Sequence, residues 1–284
     1  MRICDLHTHS NFSDGTLSPA QLLQAAEEAG LAAVVLCDHN TVAGLPAFVE
    51  AGEKSSVETI PGIEFSVDYG DTELHLIMLF VSPEDYAPIT QLLALARQRK
   101  EESTKALVQA LQQDGFDVDY DQLQANAPDG YINRAHIAAE LVRLGHARTM
   151  QDAFKKYLAP GGGYYIPPKR PDVFETIRFI RERGGVSVLA HPFLNLDEEA
   201  LEVFLPQAAA CGLDAMETLY SRYDVQTTQK SRELACRFGL LESGGSDFHG
   251  ENKADIRLGV GKGQLRIPLE ILEKLKDRRN GKES

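Results

Sequence analysis

Seven short clusters of histidine, aspartate and glutamate punctuate this 284-residue chain, and most of them stand where an apolar run stops. Asp5-Leu6-His7-Thr8-His9 closes the first run. Val34-Val35-Leu36-Cys37 leads into Asp38-His39-Asn40, and Ile60-Pro61-Gly62-Ile63 into Glu64. Val186 to Ala190 leads into His191-Pro192, and Ser243-Gly244-Gly245-Ser246 into Asp247-Phe248-His249. His75 instead opens the run Leu76 to Val81, and Asp14 lies in a polar turn before Gly15. Alone, each reads equally well as a capping group, a turn former or a satisfied core residue. Placed together at the carboxyl ends of parallel strands they converge on one mouth, where α/β barrels keep their active sites. Strand alternation puts Asp5, His7 and His9 on one face, and two imidazoles so spaced can grip one ion. Burying this many ionisable groups without a cation would be very costly, so the set reads as metal ligands.

Short apolar runs alternate with helical patterns, which predicts repeated β-α units and a parallel sheet. Strands are expected near 2–7, 32–37, 60–66, 74–81, 186–190, 213–218 and 240–245. Ser18 as N-cap, Pro19 at the first helical position and Gly30 as the stop mark the first helix. Further helices are expected from Pro171 to Arg183 and from Val225 to Phe238, each ending before glycine. Residues 87–170 break the rhythm, with helical stretches near 88–113, 134–144 and 150–157. They read as a helical insertion between the fourth and fifth strands, leaving 1–86 and 171–284 for the barrel.

The net charge of −13 argues against a protein that coats long duplex nucleic acid, because such binding neutralises many phosphates. Residues 131–170 run the other way, with seven basic side chains (Arg134, Arg143, Arg148, Lys155, Lys156, Lys169, Arg170) against Glu140 and Asp152. That local excess fits an anion site, or else a solvated helical surface. No apolar run approaches the roughly 18 residues needed to span a bilayer, and the first residues lack the apolar stretch of a leader, so a cytoplasmic protein is expected. Cys4, Cys37, Cys211 and Cys236 have no paired spacing and read as small core residues. His136 and His146, inside the insertion, read as non-ligands. Asn133-Arg134 precedes a helix at a position suited to anion binding, and Lys169, Arg170 and Arg222 are further cations that could reach the mouth.

Taken in order, Asp5-x-His7-x-His9, Asp38-His39, Glu64, His75, His191-Pro192 and Asp247-x-His249 resemble the PHP family, named for polymerase and histidinol phosphatase, within the amidohydrolase-like barrels. The resemblance implies a distorted (β/α)7 TIM-like barrel. It also implies two or three divalent ions, most commonly manganese, with zinc or iron as alternatives, that hydrolyse phosphate esters. Carried over, His7, His9, Glu64 and Asp247 would hold the first ion. Glu64 would bridge to a second held by His75 and His191, and Asp14, His39 and His249 would form a third site. Many members carry histidine where this chain has Asp14.

The insertion, with Asn133-Arg134 and Gly161-Gly162-Gly163-Tyr164-Tyr165, further resembles the branch acting on nucleoside 3′,5′-bisphosphates and on the ends of short RNA. The expected activity is removal of the 3′-phosphate from a nucleoside 3′,5′-bisphosphate. Asp247 would orient the attacking water and take its proton, and His249 would protonate the leaving oxygen. Arg134, with Asn133, Lys169 and Arg222, would hold the other phosphate, and Tyr164, Tyr165 or Phe193 could stack a base. The alternatives are a 5′-3′ exonuclease on short RNA, a histidinol-phosphate phosphatase, and a non-catalytic polymerase-associated scaffold.

Overall fold

The computed structural model of the chain describes residues 2–127, 132–159 and 163–281. Gly161 and Gly162 lie outside the described residues. The chain forms two compact units, one made of Met1–Thr90 with Pro171–Ser284 and the other of Gln91–Arg170.

The first unit is built on a curved sheet of strands β1 (Ile3–Asp5), β2 (Ala33–Leu36), β3 (Glu58–Tyr69), β4 (Thr72–Leu79), β5 (Val186–Ala190), β6 (Ala215–Tyr220), β7 (Leu241–Gly245) and β8 (Ile267–Pro268). Their spatial order is β7-β6-β5-β4-β3-β2-β1-β8. Beyond the two end strands the chain continues the ladder. The Leu6 amide donates to Gly244, the Asp247 amide to His7 and the His9 amide to Phe248, so the exits of β1 and β7 join and the sheet becomes barrel-like.

β1, β2 and β3 run parallel, as do β5, β6 and β7. The all-parallel expectation fails in between. β3 and β4 are antiparallel, joined across Gly70 and Asp71, and β4 is antiparallel to β5. A two-residue connection cannot make the crossover that a parallel pair needs, and Gly70 supplies the positive φ of a tight hairpin. The two-residue β8, antiparallel to β1, was too short to be seen as a pattern.

Alternate residues of successive strands, Cys4, Val35, Ile60, Ile77, Leu79, Val188 and Ala215 among them, meet in one buried cluster. The helix Leu269–Asn280 closes it with Ile271, Leu272 and Leu275. Around the sheet, α1 (Pro19–Glu28) begins as expected, with Ser18 and Gln21 capping each other's backbone amides. Asp172 and Asp224 cap the helices Val173–Glu182 and Val225–Arg237 by accepting from backbone amides of the first turn. Among the cysteines, Cys4 and Cys37 are core residues. The expectation fails for Cys236, which is exposed on its helix, and for the half-buried Cys211.

The second unit has its own core, with Leu107, Leu111, Val118, Ile137, Leu141 and Leu158 buried. These come from the helices Tyr86–Gln113 and Arg134–Arg143, from Val118 ahead of the short helix Tyr120–Asn126, and from a π-helical turn at Phe154–Leu158. Among the described residues, no helix is long and apolar enough to cross a membrane.

Candidate metal centre

The donors gather because the parallel strands of the first unit end on one side and continue there as single bridges. His39 pairs with Glu64 in this way, and Thr8 with Phe248, which sets His9 beside the segment carrying Asp247 and His249. His75 arrives by a different route. In the β3–β4 hairpin Glu64 faces Ile77, and His75, two residues earlier, lies diagonally on the same face. β5 pairs His75 with Ala190, so His191 follows directly. Three backbone positions here are held at positive φ: Asn40 at 53°, His191 at 29° and Asp247 at 58°. Such non-glycine conformations cost about 1–3 kcal/mol each and cluster where side chains must be aimed. A close approach completes the arrangement, since a Cβ on Gly245 would stand 2.1 Å from the His7 Cβ.

Glu64, fully buried, is the hub. Its Oε2 lies 3.2 Å from His7 Nε2, 3.3 Å from His9 Nε2 and 3.1 Å from His39 Nδ1. Its Oε1 lies 2.9 Å from His75 Nδ1 and 3.2 Å from His191 Nε2. Asp247 Oδ1 lies 3.7 Å from His7 Nε2 and 3.5 Å from His9 Nε2, and these two nitrogens are 3.0 Å apart. On the far side, His249 Nε2 is 3.1 Å and His39 Nε2 3.9 Å from Asp14, with His9 Nδ1 at 4.0 Å.

Donor atoms each about 2.1 Å from one tetrahedral ion stand about 3.4 Å apart, so these spacings suit cations. The hydrogen bonding supports the same conclusion. His9 Nδ1, Asp14 Oδ1, His39 Nδ1, Glu64 Oε2 and His249 Nε2 are buried atoms that make no hydrogen bond. Buried polar atoms are costly to leave unmade, and a divalent ion would satisfy them. The groups are interleaved rather than separate: His7 stands with Glu64 and His191, His39 with Glu64 and His75, and His9 joins Asp14, His39 and His249.

Burial alone would push the Glu64 and Asp247 carboxyls up. The imidazoles of His7, His39 and His75 outweigh it at Glu64 and hold that group well below the usual range; at Asp247, His9, His7 and Lys253 do the same. Conversely, burial opposes charge on His9, but Asp247 and Glu64 carry its pKa up to about 9. His7 is likewise raised, by Glu64 and Glu217.

Several side chains that the sequence pattern did not single out support this cluster. Glu217 is fully buried and contacts both His7 and the His191 backbone. Tyr220 and Lys253 both donate to Asp247 Oδ2, at 2.8 and 2.7 Å. Asp5 takes no place among the donor atoms; it accepts from the amides of Ser246 and Gly259 and so pins the loops after β7. Asp38 accepts from the Ser10 amide and the Ser13 hydroxyl and so holds the loop after β1.

The expected substrate-binding residues are placed differently. Arg222 is exposed just after β6. Asn133, Arg134 and Lys169 belong to the second unit, where the Asn133 side chain is spent on capping the helix at His136. The Arg134 guanidinium lies 4.4 Å from the Tyr165 ring and donates to Leu158 O. Arg143 and Lys156 pair with Glu140 and Asp152, which cancels part of the local basic excess. His136 accepts from the Asn133 amide, and His146 packs on Phe116.

The PHP domain family model matches residues 5–166. A 5′-3′ exoribonuclease of Haemophilus influenzae is 32% identical over 250 residues, covering 86% of this chain and 89% of the relative. A 3′,5′-nucleoside bisphosphate phosphatase of Chromobacterium violaceum is 29% identical over 257 residues, covering 89% and 90%. A crystal structure from Bifidobacterium adolescentis, provisionally assigned as a metal-dependent phosphoesterase, superposes with a TM-score of 0.84 at 31% identity over 98% of this chain and 96% of that one. Motif, barrel and relatives agree: the chain belongs to the PHP domain family and is a metal-dependent hydrolase of phosphate esters.

Proposed function

We propose that the chain removes the 3′-phosphate from nucleoside 3′,5′-bisphosphates, giving a 5′-nucleotide and inorganic phosphate. The observation that carries the chemistry is the division of Glu64, one oxygen toward His7, His9 and His39 and the other toward His75 and His191. A carboxylate so placed suits two neighbouring ions, with His7, His9 and Asp247 on one side and His75 and His191 on the other. Asp14, His39 and His249 could hold a third. Manganese is our proposed resident, with zinc or iron as alternatives. When bound, such ions neutralise charge on the phosphoryl oxygens and lower the pKa of water.

The protein's own groups then have distinct tasks. Asp247 Oδ2 is occupied by Tyr220 and Lys253, so Oδ1 alone faces the centre. We assign Asp247 to orienting the attacking water and taking its proton. The Asp247 carbonyl accepts from His249 Nδ1, which leaves Nε2 to deliver a proton to the leaving oxygen when the third site is empty, or to hold the third ion, which would then stabilise that oxygen. Arg134, which donates to Leu158 O and has most of its donors without a partner among the described residues, is assigned to the remote 5′-phosphate, with Lys169 and Arg222 assisting. The substrate class is supported by similarity to the Chromobacterium phosphatase along nearly its whole length.

The exoribonuclease relative supports a second reading, trimming of short RNA from its 5′ end. Product analysis separates the two. Under the first, adenosine 3′,5′-bisphosphate yields adenosine 5′-phosphate and phosphate far faster than a 5′-phosphorylated trinucleotide yields mononucleotides. The reverse preference overturns it in favour of the second.

A further inference from the structure

The two halves of the centre share a support that lies behind the donor atoms. Glu217 Oε1 is 3.0 Å from His7 Nδ1, and Glu217 Oε2 accepts from the His191 amide at 2.6 Å. The carboxyl is fully buried and each oxygen is spent on a different member of the centre. We propose that Glu217 is a positioning residue that fixes the ring of His7 and the backbone of His191 together, so that both ions depend on it. The inference rests on the metal-centre reading above.

Each contact has a chemical consequence. When Oε1 accepts from Nδ1–H, the lone pair of His7 is left on Nε2, the nitrogen that faces His9, Glu64 and Asp247. Carboxylates behind ligating histidines set tautomer and ring orientation in this way. The second contact acts on the main chain. His191 sits at φ 29°, a conformation that needs outside support, and its amide is held by Oε2.

The local sequence explains how one strand supplies this. Period-two alternation would put Glu217 and Tyr220 on opposite faces of β6. A register shift between Glu217 and Leu219 against β7 inserts an extra residue. Such bulges re-aim side chains. Glu217 therefore reaches His7 while Tyr220 reaches Asp247 and packs 5.4 Å from the His191 ring.

Glu217→Gln is the informative change, because an amide offers one acceptor where the carboxylate offers two. With its oxygen on the His191 amide, its NH2 would donate to His7 Nδ1 and move the ring proton to Nε2, the nitrogen needed for the ion. With its oxygen on His7, two N–H groups would face each other at His191.

Chelator-treated full-length wild type and Glu217→Gln are titrated with Zn2+ against a competing chelator, alongside denaturant unfolding of the metal-free proteins. The expected result is that wild type binds at least two ions, and that the variant binds both about 10–100-fold more weakly. The metal-free variant should unfold close to wild type. Wild type binding no more than one ion overturns the reading of the centre itself. Wild type binding two ions with the variant equally tight overturns the role of Glu217 alone, as does a variant whose only defect is an equal loss of stability with and without zinc. Should Glu217→Gln fail to fold, the histidine ring 1H–15N spectrum of zinc-loaded wild type decides. A proton on His7 Nδ1 is expected, and a proton on Nε2 overturns the proposal.

Discussion

His75 Nδ1 lies 2.9 Å from Glu64 Oε1 because the two residues are diagonal neighbours on one face of an antiparallel hairpin. That hairpin interrupts an otherwise β-α pattern and gives Glu64 its second oxygen contact. One buried carboxylate thereby serves both sides of the centre.

Replacement of Glu64 by glutamine should therefore remove more than one ion. We expect metal content to fall below one per chain, by elemental analysis, and turnover to drop by several orders of magnitude while circular dichroism stays near wild type. A variant that retains two ions would contradict the hub.

His75→Ala and His191→Ala each remove a donor from the same oxygen of Glu64. Both should lower turnover by several orders of magnitude with the fold preserved. Near-normal turnover in either would show that the second group has been misassigned. Circular dichroism alongside the kinetics separates lost chemistry from lost structure.

Metal uptake should depend on pH with a definite sign. In the metal-free centre the carboxylates keep protons on His7 and His9 above neutrality, up to about 9 for His9. Ligation needs neutral rings, so entering ions displace protons and affinity rises as pH increases toward that value. Calorimetry at neutral pH in two buffers of different ionisation enthalpy should register net proton release. Affinity that is flat across the neutral range would contradict this.

The sequence made the donor set legible because identity and position repeated together: an apolar run, then His, Asp or Glu. Ser18-Pro19 and the glycines after the three expected helices, Gly30, Gly184 and Gly239, were legible for the same local reason. The β3–β4 hairpin was readable in Tyr69-Gly70-Asp71-Thr72, a turn signal between two apolar runs, but the β-α rhythm of the neighbours masked it. Helix Glu198–Cys211 carries local signals as well, Asp197 as N-cap and Gly212 in the left-handed region. Glu217 and Lys253 were not legible. The bulge breaks the alternation that would have marked the first, and only the folded loop after His249 brings the second to Asp247.

Arg134→Ala tests substrate choice. If Arg134 holds the 5′-phosphate, kcat/KM for a nucleoside 3′,5′-bisphosphate should fall by about 1.5–3 kcal/mol, while that for a nucleoside 3′-monophosphate changes little. Equal loss on both would place Arg134 on the reacting phosphoryl group. No loss on either would make it a structural cation, held by Tyr165 and Leu158.

The most direct test of the two-ion phosphoesterase is phosphate release from adenosine 3′,5′-bisphosphate as Mn2+ is added stepwise to chelator-treated protein, with bound metal counted at each step. No release is expected without metal, and activity should appear only as a second ion binds, with adenosine 5′-phosphate as the product. Full activity at one ion per chain, or release of adenosine 3′-phosphate instead, would contradict it.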